Sequence, residues 1–338
     1  FGKVSATPAV PSSSDKISAF IGDVDGDGFG DLGVMQTYSA TSGYVPAVAF
    51  GGPSLTTRSP FALIKSAAGS SLNLGLHAAG DFNGDGFDDF LVDYMYFSPA
   101  PELQVFYGGS PLSNQAALHI PCPFPGSYTL SSNGIGDVNG DSYPDIAFTQ
   151  QGNGPTTWTG RFQVFAGGAA PKTTPVADIE LPGGHTARVY PAGDLNGDGF
   201  MDAAIVENDV GFTLYKGAAS FPQATWKTLA DTGTTSGVGG FDINGDGYGD
   251  LLLKGANAGI YLGGSTGPAT VTPLPTARGL NLFVGVGVSD HDGDGLPDLV
   301  GSTATDAFWC ASAGTATPTC LQITNNGAAY TGSYAFAR

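Results

Sequence analysis

The chain has 338 residues, including 53 Gly and 23 Pro; 41% are hydrophobic and only 12% are charged. That much apolar content excludes a disordered chain, and so few charges exclude long helices with solvated faces, which leaves many turns and short strands. The net charge of −18, from 12 basic and 30 acidic residues, opposes binding to a nucleic-acid backbone, and no apolar run reaches the roughly 18 residues of a membrane-spanning helix, so neither nucleic-acid binding nor membrane insertion is expected.

Phe1 stands where Met would, without a signal segment, as expected of a mature or excised product whose targeting segment has gone. Whether it is part of a larger chain or assembly is left open. Phe1 to Val10 precede the first of six repeated units. That unit, 15–66, opens with a strand over Lys16–Gly22, continues with the acidic segment DVDGDGFGD from Asp23 and the apolar run Leu32–Met35, and ends a third strand in Val48-Ala49-Phe50-Gly51-Gly52. The second, 70–121, has a strand over Leu72–Gly80, DFNGDGFDD from Asp81, Phe90–Val92, Val105-Phe106-Tyr107-Gly108-Gly109 and a fourth segment at Ala117–Ile120. The third, 126–182, carries DVNGDSYPD from Asp137, Ile146–Phe148 and Val164-Phe165-Ala166-Gly167-Gly168. The fourth, 184–230, carries DLNGDGFMD from Asp194 and Ala203–Val206. The fifth, 234–275, carries DINGDGYGD from Asp242, Leu251–Leu253 and Ile260-Tyr261-Leu262-Gly263-Gly264. The sixth, 279–324, carries DHDGDGLPD from Asp290 and Leu299–Val300, and Tyr330–Ala337 beyond it reads as one more first strand.

The acidic segments start 58, 56, 57, 48 and 48 residues apart, close to the period of a four-stranded propeller blade with its loops. Strand, acidic loop, strand, strand, strand makes one antiparallel blade, so the expected fold is a single all-β β-propeller domain over 1–338. Seven blades are favoured, with 1–14 and 325–338 closing the ring in one blade, because shared closure removes open sheet edges; six is the alternative.

Twenty of the 30 acids occupy positions 1, 3, 5 and 9 of these segments. Alternate oxygen side chains in a tight loop converge on one point, and the carbonyl at position 7 can join them. Six to eight hard oxygen ligands suit Ca²⁺; Mg²⁺ holds its water and wants a rigid octahedron, and without His or Cys at these positions zinc and copper do not fit. The expected side-chain ligands are Asp23, Asp25, Asp27 and Asp31; Asp81, Asn83, Asp85 and Asp89; Asp137, Asn139, Asp141 and Asp145; Asp194, Asn196, Asp198 and Asp202; Asp242, Asn244, Asp246 and Asp250; and Asp290, Asp292, Asp294 and Asp298. The carbonyls would come from Phe29, Phe87, Tyr143, Phe200, Tyr248 and Leu296. About six Ca²⁺ ions would bring −18 to −6. An EF-hand would need a bidentate Glu at position 12, where this chain has Val34, Val92, Phe148, Ile205, Leu253 and Gly301. Gly at position 6 permits the turn, except in the third loop, where Ser142 replaces it and weakens the expected site. One Asp-Asn-Gly cluster reads equally well as a plain turn; six copies with Asp at position 9 each time do not.

At these loops the sequence resembles the FG-GAP repeat family, the calcium-binding blades of the integrin α propeller, over Lys16 to Ile323. The Phe-Gly element is reduced to Leu74-Gly75 and the Gly-Ala-Pro element is missing, which resembles the looser microbial and fungal members, including secreted lectins and adhesion proteins, more than an integrin subunit. The resemblance implies a structural metal loop between the two inner strands of each blade.

Other chemistry is sparse. His185 and Arg188 form the one other cluster that hints at chemistry, read as surface strand; His77 and His119 carry no motif, and His291 falls inside a metal loop. No nucleophile elbow, P-loop or H-E-x-x-H occurs. The expected function is an extracellular or cell-surface binding and adhesion module for glycans or surface proteins. A sugar-specific lectin and a polysaccharide lyase or hydrolase are the alternatives, and no catalytic residue is assigned. Trp158, Trp226 and Trp309 are candidates for sugar stacking or for core. Weak multi-oxygen sites fill at millimolar extracellular calcium, and the lack of an N-x-S/T sequon points to a microbial source. Cys310 and Cys320 either close a disulfide loop or remain two buried thiols, and Cys122 has no evident partner.

Overall fold

A computed structural model describes residues 16–38, 43–52, 61–62, 75–94, 101–122, 129–153, 158–181, 187–207, 211–221, 225–229, 236–254, 259–268, 271–273, 285–289, 294–302, 307–311 and 319–323. These form 24 strands and no helix.

Each acidic segment is the turn between the first two strands of a four-stranded sheet. The sheets are β1 (Lys16–Gly22), β2 (Asp31–Tyr38), β3 (Gly43–Ala49) and β4 (Phe61–Ala62); β5 (Leu76–Gly80), β6 (Asp89–Tyr94), β7 (Glu102–Phe106) and β8 (Leu118–Pro121); β9 (Thr129–Gly136), β10 (Asp145–Asn153), β11 (Trp158–Phe165) and β12 (Ala177–Leu181); β13 (Ala187–Gly193), β14 (Asp202–Glu207), β15 (Gly211–Tyr215) and β16 (Thr225–Leu229); β17 (Ser236–Phe241), β18 (Asp250–Lys254), β19 (Gly259–Tyr261) and β20 (Val271–Pro273); and β21 (Gly285–Ser289), β22 (Asp298–Ser302), β23 (Ala307–Ala311) and β24 (Thr319–Ile323). In every sheet the strands lie in chain order, and the paired registers are antiparallel. This is the all-β β-propeller class.

The seven-blade expectation is not met. The described residues hold six four-stranded sheets, and each takes four consecutive strands from its own stretch of chain, so none borrows a strand from a terminus. The segments 1–14 and 325–338, expected to close the ring, lie outside the described residues.

The second strands are buried on both faces, which explains their continuous apolar runs: Phe90, Leu91 and Val92 are fully buried, as are Ala203, Ala204 and Ile205. Position 12 of five loops (Val34, Val92, Phe148, Ile205, Leu253) is core, as a buried strand requires.

The chain divides into two compact units, Phe1–Val189 with Ala218–Pro222, and Tyr190–Gly217 with Gln223–Arg338. In the first, Phe90 stacks on Phe106 (centroids 5.2 Å apart) and Phe148 on Phe165 (5.6 Å). Polar side chains also stitch its sheets together: the Leu76 N–H donates to Ser18 Oγ (2.9 Å), and Thr149 Oγ1 donates to the Ala187 carbonyl (2.7 Å). The second unit packs Leu195, Val206, Phe212 and Leu253 in one cluster, with Trp226 partly buried against it, so that ring serves as core. The side chains of Trp158 and Trp309, and all of His185 and His291, lie outside what is described.

Candidate metal centre

Each of the first five loops is wound around its own carboxylates. At position 1, Asp23 accepts the Asp27 N–H on Oδ1 (3.1 Å) and the Gly28 N–H on Oδ2 (2.8 Å). Asp81, Asp137, Asp194 and Asp242 repeat this pattern. At position 5, one oxygen accepts the N–H of position 7, at 2.8–3.1 Å in all six loops. Such tight winding needs left-handed backbone. Position 4 is Gly with φ between 71° and 79° in the first five loops, and position 6 reaches 74° even at Ser142.

Position 9 works differently. Asp31, Asp89, Asp145, Asp202, Asp250 and Asp298 have no solvent exposure. In each of the first five, one oxygen accepts an N–H at the start of the loop, as from Val24 to Asp31 (2.8 Å) and Asn83 to Asp89 (3.0 Å). The other accepts the N–H of the Gly that ends the third strand: Gly51, Gly108, Gly167, Gly217 or Gly263. The carboxylate thus clamps loop to sheet. Burial pushes Asp31, Asp89, Asp145 and Asp202 up to about 7 and Asp250 to about 6; the two backbone donors oppose this, and the other loop carboxylates add to it.

The residue after that Gly reaches the preceding unit. Gly109 N–H donates to the Val24 carbonyl and Gly168 N–H to that of Phe82 (both 2.8 Å), Ala218 N–H to that of Val138 and Gly264 N–H to that of Leu195 (both 2.9 Å). The Gly-Gly pairs, legible in the sequence only as strand ends, are therefore double latches. Position 7 adds a third tie: its ring lies on the position-4 Gly of the preceding loop, Phe87 on Gly26, Tyr143 on Gly84 and Tyr248 on Gly197.

The donors fit a hard divalent cation. In the first loop, one carboxylate oxygen each from Asp23, Asp25 and Asp27 lie within 4.8 Å of one another. In the fourth, Asn196 is only 8% exposed and neither its Oδ1 nor its Nδ2 has a partner, an unmet need at an expected ligand position. The structure places Asp31 beside this group as a clamp whose oxygens keep lone pairs free. Of the sixth loop, residues 290–293 lie outside the described residues, and Asp298 is buried as in the others.

Sequence reasoning missed two imidazole–carboxylate contacts in the second sheet. His77 Nε2 lies 3.3 Å from Asp93, which also accepts from Ser132 Oγ (2.5 Å), and His119 Nδ1 lies 3.0 Å from Glu102. No sequence motif marks either, since cross-strand register brings them together. Cys122 is buried and free, its thiol pushed up to about 12 by burial and by Asp93 and Glu102.

Among the described residues, the six sequential four-stranded sheets define the β-propeller class. The family described as FG-GAP-like repeat matches residues 137–205 and 194–253, and over those repeats the chain is similar to FG-GAP, integrin-like propellers. It is 30% identical over 148 residues to integrin alpha-PS2 of Drosophila melanogaster, covering 37% of this chain and a tenth of that protein. Among solved structures, the crystal structure of BBS1N in complex with ARL6DN, soaked with lead, matches 92% of this chain and 84% of its own (TM-score 0.53, 10% identity), a likeness of fold alone. The V. cholerae biofilm matrix protein Bap1 matches 75% of this chain and 39% of its own (TM-score 0.41, 15% identity). FG-GAP, integrin-like propellers typically bind Ca²⁺. Among the described residues, no helix is long and apolar enough to cross a membrane.

Proposed function

We propose that this chain is an extracellular, calcium-stabilised propeller that serves as a binding and adhesion module for glycans or surface proteins. The observation that carries the reading is the repeated clamp. Each of the first five loops gathers oxygen donors and is tied through its buried position-9 Asp to its own sheet, so the cation would rigidify the sheet and not only the turn. The ligands would be the side chains at positions 1, 3, 5 and 9 with the position-7 carbonyl, one ion per loop. A dication there would supply the counter-charge that the buried carboxylates lack. The third loop, strained at Ser142, would hold its ion least tightly by backbone conformation.

The test is a glycan array and a pull-down from cell surfaces, each run at millimolar calcium and in chelator. Calcium-dependent capture of a glycan or of one defined surface protein is expected. A blank array with no captured protein overturns the binding-module reading, and turnover of a polysaccharide replaces it with an enzyme.

A further inference from the structure

We infer that Lys216 lends its ammonium to the fourth acidic loop, holding that loop together without metal and setting its calcium affinity below that of the second and fifth loops. The inference rests on the calcium reading above.

Lys216 follows β15 and precedes Gly217, whose N–H is held on Asp202 Oδ1 (2.8 Å). The equivalent positions carry Phe50, Tyr107, Ala166 and Leu262, so this is the one of these five units with a cation there. Its Nζ lies 2.9 Å from Asp198 Oδ2, at position 5 of the loop. In the second and fifth loops the matching oxygens, Asp85 Oδ2 and Asp246 Oδ2, accept instead from the side-chain amides of Asn83 (2.8 Å) and Asn244 (2.9 Å).

The displaced amide accounts for the anomaly at Asn196. In the second, third and fifth loops, Oδ1 of the position-3 Asn accepts the N–H of position 5, at 2.8, 2.9 and 3.2 Å. Asn196 makes neither this bond nor the amide bond, although it is buried. The loop thus keeps an acceptor ready for a cation while a lysine neutralises one of its carboxylates. An entering Ca²⁺ must share Asp198 with a like charge, which lowers affinity. Both side chains are about a third exposed, so solvent limits the effect to tuning.

The test is anomalous scattering from crystals of the wild-type protein and of K216M, which keeps most of the aliphatic stem, grown at limiting and at saturating calcium. In the wild type, occupancy of the fourth loop should lag behind that of the second and fifth; in K216M it should match them, a gain in affinity of about two- to fivefold. In parallel, K216M should melt lower than wild type in chelator yet show the larger rise on adding calcium, a reversal that simple loss of a surface ion pair does not give. Fourth-loop occupancy that K216M leaves unchanged, with the other loops filling, overturns the inference alone. Loops that all stay empty in both proteins at saturating calcium overturn the calcium reading and this inference with it.

Discussion

A carboxylate in these loops is defined by which N–H groups it accepts. At position 1 it organises the turn, and at position 9 it joins the turn to the sheet. Asp89, fully buried between the Asn83 and Gly108 N–H groups, shows what that joint is worth. Asp89→Ala leaves two part-buried donors unpaired, at the lower end of about 1–3 kcal/mol each, so urea denaturation should show a loss of about 2–3 kcal/mol. At Ser142 the opposite change is expected. Its φ of 74° costs an L-residue roughly 1–2 kcal/mol, partly offset by the greater unfolded-chain freedom of Gly. Ser142→Gly should therefore raise stability by about 0.5–1 kcal/mol in the same measurement. Both residues were legible in the sequence, Ser142 as the one departure from the glycine rule and Asp89 as a repeated acid. The buried state of Asp89 was not, because burial depends on a glycine 19 residues further along the chain.

Between elements, the loops are linked in series. A Cβ on Gly84 would come within 2.3 Å of the Tyr143 ring in the next unit, whereas a Cβ on Gly86 would meet nothing within 4 Å. Both glycines have left-handed φ, so Ala costs each about 1–2 kcal/mol through the backbone. Gly84→Ala should cost about 1–3 kcal/mol more than Gly86→Ala, from overpacking against Tyr143; equal melting points would mean that the rings do not couple neighbouring loops. The strand register also bears on the cysteines. Cys310 and Cys320 are direct partners across β23 and β24. Opposed Cα atoms in an antiparallel pair lie about 4.5–5.5 Å apart, within disulfide range. Intact mass after alkylation without reductant is expected to show one modified cysteine, the third thiol of the chain, once the protein is denatured.

For the molecule as a whole, 21 acids gathered in six loops make charge the dominant long-range force. A site about 99% occupied adds roughly 2.7 kcal/mol, and several such sites together rival the net stability of a domain. Chelator should therefore lower the melting temperature by tens of degrees, and calcium should restore it; an unchanged midpoint would mean that the carboxylate clusters are held by their backbone donors alone. The sequence by itself determined the repeat, the strand order within each unit and the all-oxygen character of the loops, because these depend on local spacing: an alternation of acids, a left-handed glycine, an apolar run. The tertiary structure alone decided that each sheet is complete without the termini, that Gly-Gly pairs latch one unit to the one before, and that Lys216 faces Asp198. Those outcomes depend on which backbone donors and side chains from distant stretches of chain meet, and only packing brings them together.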